Sequence, residues 1–243
     1  MMKWFLFLAA FLPITPTMTE VVASVSDCSE FLLGGRPPKI PGIIENGAIQ
    51  NQNRYKPICQ TFNNKRRFLT VYDTTNKIPV FSAYKFKKVT AEERPNIPWM
   101  VEPQLSGDTD KNMKNYTPKK YDKQAIDGVP QVKNFNRGRW RVVEDRVKSL
   151  MEKVCINNGV IEGFVVVGAH PSTNKVLNNR VNIPKMLWSA FYCYNSTENK
   201  WLASAYWGNN TDEKEPLSIK TVDQLNTELN KELKTTSVNV FPG

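Results

Sequence analysis

Apolar residues recur through residues 139–154 at Trp140, Val143, Val147, Met151 and Val154, three or four positions apart. That spacing places them on one stripe of a helix, with the basic and acidic residues on the other side. Asn157-Asn158-Gly159 supplies the stop. A second stripe, Val222, Leu225, Leu229 and Leu233, begins at Thr221-Val222-Asp223-Gln224, whose first and last residues form a capping box. Elsewhere the pattern is that of strands. Gly163–Gly168 is a short, continuous apolar run, the signature of a strand covered on both faces. Met186–Tyr194 and Lys200–Trp207 predict two more strands. Upstream, Phe68, Val71 and Tyr72 precede the polar run Asp73–Lys77, and Ile78, Val80, Phe81, Tyr84 and Phe86 follow it, two strands about a turn. Their aromatics are read as core, not as a platform for stacked bases. Trp99–Leu105 reads as a short strand or edge, Asp27–Gln52 as an irregular, cysteine-tethered leading segment, Gly107–Lys123 as a polar loop and Thr235–Gly243 as a loose tail.

The amino terminus has a different character. Lys3 is followed by the nine-residue apolar run Trp4–Leu12, and Val21-Val22-Ala23 ends on small residues. Residues 1–23 therefore read as a secretory signal peptide, leaving residues 24–243 as one domain of a secreted protein. The apolar run is too short to span a bilayer. Four cysteines remain, Cys28, Cys59, Cys155 and Cys193. In a secreted chain that number suggests two disulfides, with three pairings open; Cys28–Cys59 with Cys155–Cys193 is preferred. Their spacing lacks the paired Cys-x-x-Cys of a zinc site, and a single histidine, His170, cannot complete one. Sequons at Asn115, Asn195 and Asn209 are glycosylation candidates on the same route.

Charge narrows the partners. The chain has 33 Lys and Arg against 23 Asp and Glu, a net +10. The balance persists without residues 1–23, because Lys3 and Glu20 leave together. Such a surplus favours polyanions, and its distribution in small groups suits a phosphate backbone held without base readout. One group stands out. In Asn134–Glu144, Asn136 and Glu144 bracket Arg137, Arg139 and Arg141. With a helix starting near Arg139, Asn136 lies at its entrance, where unpaired N–H groups and the dipole favour anions. An amide oxygen, a carboxylate and several guanidinium groups suit a hard cation such as Mg²⁺ beside a phosphate. The same residues also fit an ordinary solvated amphipathic helix with an Asn near its cap.

Pro130-Gln131, Phe135-Asn136, Trp140 and Glu144 together resemble the metal-binding helix of the DNA/RNA non-specific endonucleases. Further stretches resemble vertebrate endonuclease domain-containing 1 sequences: Arg54-Tyr55-Lys56 with Ile58-Cys59-Gln60, Tyr72–Tyr84, Trp99–Leu105, Asn179–Pro184 and Trp188-Ser189-Ala190. The resemblance runs from Cys28 to about Trp207. It implies an α+β fold of the ββα-metal (His-Me finger) type, an antiparallel sheet with packed helices. It also implies Mg²⁺-dependent, non-specific hydrolysis of DNA and RNA. By position, Asn136 resembles the direct metal ligand and Glu144 the residue that holds the metal's waters, with Arg137, Arg139 and Arg141 on the nucleic acid.

One departure bears on activity. The Asp-Arg-Gly-His motif that precedes the metal helix in this family, and whose His activates the attacking water, is absent. The chain passes from Gln124-Ala125-Ile126-Asp127 to Gly128-Val129-Pro130-Gln131 where that segment belongs, and Asp127 stands where an Asn is usual. The catalytic ββ portion is thus expected to be incomplete and the chain impaired or inactive. Lone His170, beside Pro171, reads as a surface loop residue rather than a substitute base. Three readings follow: a secreted nuclease shortened by splicing or an incomplete gene model, a non-catalytic secreted polyanion- or protein-binding relative, and a structural or immune-interaction domain on the same scaffold.

Overall fold

The computed structural model describes residues 21–88, 100–106, 108–110, 112–115 and 129–242. Its centre is one antiparallel sheet of seven strands: β1 (Tyr55–Phe62), β2 (Lys65–Asp73), β3 (Ile78–Lys87), β4 (Ile156–Asn157), β5 (Val160–His170), β6 (Met186–Asn195) and β7 (Lys200–Asn209). Across the sheet the order is β7-β6-β5-β3-β2-β1, with β4 paired to the start of β5. Helix α1 (Arg141–Val154) packs on one face and helix α2 (Val222–Leu233) on the other. This is the α+β architecture the resemblance implied.

The two faces have separate cores, and strand alternation sorts residues between them. In β5, Val166 joins a core with Leu69, Phe81, Trp188, Leu225 and Leu229. Its neighbour Val165 joins the other core, with Phe135, Trp140, Val143, Val147 and Met151. A central strand facing two apolar layers must be apolar at every position, which accounts for the run at Gly163–Gly168. The stripe predicted for α1 is the stripe that is buried, and the helix ends at Val154 as expected. Its stop is a tight hairpin between β4 and β5, with Asn158 and Gly159 at φ 49° and 78°. Both halves of the capping box form in α2: Thr221 Oγ1 accepts from Gln224 N–H at 3.1 Å and Gln224 Oε1 from Thr221 N–H at 3.0 Å.

The disulfides pair as preferred. Cys28–Cys59 ties the 3₁₀ turn Val25–Phe31 to β1, and Cys155–Cys193 ties the end of α1 to β6, with Cα–Cα distances of 5.6 and 5.4 Å. Three expectations change. Strand β1 was not foreseen: Pro57 breaks the pattern there, but the strand lies at the sheet edge, where a missing N–H is tolerated. The expected loose tail is docked. Val238, Val240 and Phe241 are buried, and the N–H groups of Val238 and Val240 donate to the side chains of Asn230 and Asn226 at 2.8 and 3.0 Å. Val21 and Val22, assigned to the signal peptide, lie against the domain: Val22 N–H donates to the Pro57 carbonyl at 2.9 Å, and its side chain is buried. The rest of the signal peptide, residues 1–20, and the junction at residues 126–128 lie outside the described residues.

Candidate metal and phosphate site

The approach to α1 is a short helical turn, Lys133–Phe135, followed by a wide π-turn, Asn136–Trp140. Helical backbone therefore begins before Asn136 rather than after it. Asn136 N–H already donates to the Val132 carbonyl at 2.9 Å, so the residue offers its side chain and not a free helix terminus. The turn widens at Gly138, which leaves helical geometry at φ −102°, ψ −113°. Single π-turns inside helices recur at functional sites because they re-aim side chains. In a uniform α-helix, positions eight apart such as 136 and 144 are about 80° out of line. The i→i+5 turn winds fewer degrees per residue and narrows that offset.

Aromatic packing and two polar clamps hold this turn on the sheet. Phe135 stacks on Trp140 with centroids 5.4 Å apart, and Trp140 meets Tyr206 of β7 at 5.0 Å. Asn210 accepts from Val132 N–H at 2.8 Å and donates to the carbonyls of Pro130 and Pro184 at 3.1 and 3.0 Å. Arg139 is the second clamp. Its guanidinium lies over Phe135 and donates to the Asn209 carbonyl (2.7 Å), Thr211 Oγ1 (3.0 Å) and Glu213 (3.2 Å). With 6% of its side chain exposed, it is turned inward, away from any ligand in solution. Arg137 and Arg141 are exposed, and Arg141 is 3.6 Å from Asp145. Arg139→Ala is therefore expected to cost roughly 2–4 kcal/mol in a denaturant midpoint, by stranding buried partners. Arg137→Ala should stay within about 0.5 kcal/mol.

Asn136 is exposed, and its side chain makes no hydrogen bond to a described residue. Glu144 lies at a cavity of about 200 Å³ between α1 and the sheet, lined also by Tyr84, Val167, Ser189 and Tyr206. Burial, reinforced by the Glu144 carboxylate, pushes the Tyr84 phenol up to about 12. Tyr206 is raised further by the same burial, opposed by its hydrogen bond with Ser189 and aided by Glu144 and Tyr84. Both phenols remain O–H donors at any physiological pH. The cavity beside Glu144 is mostly apolar and Asn136 does not line it, so the exposed amide and the carboxylate two turns on are the groups left to take a hard cation that keeps most of its waters. Among the described residues no cluster of three His, Cys, Asp or Glu exists. A site of this kind would rest on an amide, a donor outside that set.

His170 lies elsewhere. It ends strand β5 rather than following it, and alternation from Val166 puts it on the α2 face of the sheet. There it lines a second cavity of about 160 Å³ with Ile40, Trp188, Leu229 and Leu233. Its Nε2 is 3.5 Å from Glu232, whose carboxylate also receives Lys185 at 2.8 Å. Burial holds the imidazole below its usual range, helped by Lys185 and opposed by Glu232. The unfolded chain therefore binds the proton more readily than the folded one. Stability should be full above pH ~6.5 and fall as pH drops through the folded value. A urea series from pH 7.5 to 5.0 should show this slope, and His170→Gln should flatten it. The Lys185–Glu232 pair holds Glu232 below its usual range, so its own loss comes at lower pH.

Of the glycosylation candidates, Asn115 and Asn209 are exposed. Asn195 is buried, and its amide nitrogen, the atom a glycan would take, donates to Glu198 Oε1 at 3.3 Å. The turn around Asp73, part of the resembling stretch Tyr72–Tyr84, is architectural. Its carboxylate takes the Arg54 fork at 3.0 and 2.7 Å and the Asn76 amide at 2.7 Å. Burial pushes that carboxyl up, but these partners outweigh it and hold it below the usual range. Sequence reading missed Asn210, Tyr84, Ser189 and Tyr206. In sequence Tyr84 and Tyr206 read as strand residues, Ser189 as part of a resembling stretch and Asn210 as part of a sequon.

Residues 127–240, which include the π-turn, α1, β5 to β7 and α2, match the family described as DNA/RNA non-specific endonuclease. The endonuclease domain-containing 1 protein of Mus musculus is 26% identical over 217 aligned residues, covering 70% of this chain and 39% of that protein. Its Homo sapiens counterpart is 33% identical over 89 residues, covering 35% of this chain and 15% of that protein. In this segment the chain is similar to the DNA/RNA non-specific endonucleases. It spans well under half the length of these two relatives. Among solved structures, a chain from the crystal structure of the EndoG/EndoGI complex, solved for the mechanism of EndoG inhibition, aligns with a TM-score of 0.48 and 13% identity. That alignment covers 70% of this chain and 84% of the other. Among the described residues no helix is long and apolar enough to cross a membrane.

Proposed function

We propose that this chain is a secreted, metal-binding member of the nuclease family that holds nucleic-acid backbones but hydrolyses them poorly or not at all. The observation that carries this is the exposed Asn136 on the π-turn leading into α1, followed two turns on by Glu144 at its cavity, within the segment similar to the family. Asn136 would hold Mg²⁺ directly, and Glu144 would orient its waters. When bound, the ion would neutralise the phosphate and stabilise the leaving oxygen. Arg137 and Arg141 would contact backbone phosphates without reading bases, while Arg139 keeps the turn in place. Tyr84 and Tyr206, protonated, present donors toward the carboxylate side of the cavity. What the set lacks is a base for the attacking water, since the only histidine lies on the other face.

The disulfide-tied fold acts in this reading as one extracellular domain, with both disulfides suited to an oxidising compartment. The metal half is tested by titrating Mg²⁺ and Mn²⁺ into purified protein by calorimetry. Binding is expected, and Asn136→Ala should weaken it by roughly 10-fold or more, with Glu144→Gln weakening it less. Equal metal binding by the parent and both variants would sink the site. The backbone half is tested by the salt slope of DNA binding, which should fall steeply with ionic strength and lessen in Arg137→Ala.

A further inference from the structure

Val21 and Val22 lie along the outer edge of β1, joined to it by one isolated bridge. Val21 bridges Ile58 in antiparallel register, and Val22 N–H donates to the Pro57 carbonyl at 2.9 Å. Val21 N–H donates to Gln104 Oε1 at 3.0 Å, which ties this edge to the 3₁₀ turn Pro103–Ser106. Both side chains are packed. Val22 is 8% exposed in the same core as Val25 and Cys28, and Val21 packs against Ile58, Tyr72 and Leu105. Cleavage after Ala23, as the small residues there suggest, would delete both residues and leave the β1 edge bare.

We infer that the chain is processed on the amino side of Val21, and that the mature protein keeps Val21-Val22 along the β1 edge. This rests on the secretory reading proposed above. The bond after Thr19 has Thr17 two positions before it, the small-x-small pattern that leader peptidases accept. The reaction is hydrolysis: water adds across the peptide bond, giving a carboxylate on Thr19 and an ammonium on Glu20. The mature domain then begins on a segment that covers part of a sheet edge otherwise open to pairing with other chains.

The test is expression of the full chain in secretory cells, with the amino terminus of the medium protein read by sequencing and intact mass. The expected start is Glu20, or another residue ahead of Val21. Glu20→Pro should block that cut and leave the leader attached, because proline after the scissile bond hinders hydrolysis. A start at Ser24 or later overturns the inference while leaving secretion intact. Full-length protein confined to the cells, with Met1 retained, refutes the secretory reading and takes this inference with it. As a second measurement, refolded protein starting at Ser24 should melt about 5 °C or more below protein starting at Glu20. Equal melting temperatures would show that the segment is dispensable and would also overturn the inference.

Discussion

Supercoiled plasmid incubated with this purified chain and Mg²⁺ is expected to stay supercoiled, at the level seen with chelator. The reason is chemical. A positioned general base contributes about 10²–10⁴-fold to a reaction that must deprotonate its attacking water. The α1 face offers phenols, a serine, the Glu144 carboxylate assigned to the metal's waters, and Asp145, which lies 3.6 Å from the Arg141 guanidinium. Tyr84 and Tyr206 are raised by burial, which makes them proton donors rather than acceptors at neutral pH. His170 is held on the opposite face between β5 and α2, engaged with Glu232, and no rotamer change carries it through the sheet. Thus His170→Ala should leave any residual cutting unchanged. A transcript that encodes an Asp-Arg-Gly-His segment between Ile126 and Val129 should instead yield a protein that cuts at least about 100-fold faster. Mg²⁺-dependent nicking by the present chain, abolished by chelator and by Asn136→Ala, would refute the impairment and place the base among residues outside this account.

The elements with local signals were legible from the residues. Both helices announced themselves through stripes of three and four, and β5 through a run that only a doubly covered strand requires. What escaped was set by distant partners. Lys56 and Pro57 argue against a strand, and only the edge position of β1 makes them acceptable. Nothing in Val238-Asn239-Val240 says that Asn226 and Asn230 will capture its N–H groups. Arg139 looked like a hand for phosphate because its charge is visible in sequence, whereas the Asn209 carbonyl that occupies it is 70 positions away. The site divides in the same way. Asn136 and Glu144 were proposed from a motif with fixed spacing. Tyr84, Ser189 and Tyr206 come from three strands, and no spacing rule connects them before the sheet is assembled.

Gly168→Ala is expected to be the most destabilising conservative change in the sheet, at roughly 3 kcal/mol. Gly168 pairs with Phe81 on one side and Trp188 on the other, in the middle of the strand that serves both cores. The Trp188 indole lies across the glycine. A Cβ added there would stand 2.1 Å from Trp188 Cζ2 and 2.2 Å from Cε2, far inside contact distance. Trp188 is 2% exposed and packed among Ile40, Leu229 and their neighbours, so a displaced ring has only the cavity beside His170 to enter. Either the ring leaves its rotamer or β5 and β6 separate locally, and each cost falls on the central ladder. Trp188→Val alone should cost about 3–5 kcal/mol for the lost ring and the cavity left behind. If the clash is the cause, the double variant should be less destabilised than the sum of the two by at least 1 kcal/mol, since the smaller side chain makes room for the new methyl. Additive costs in urea unfolding would mean that Gly168 matters for some reason other than the indole against it. A Gly168→Ala protein as stable as its parent would mean that Trp188 does not lie where this packing puts it.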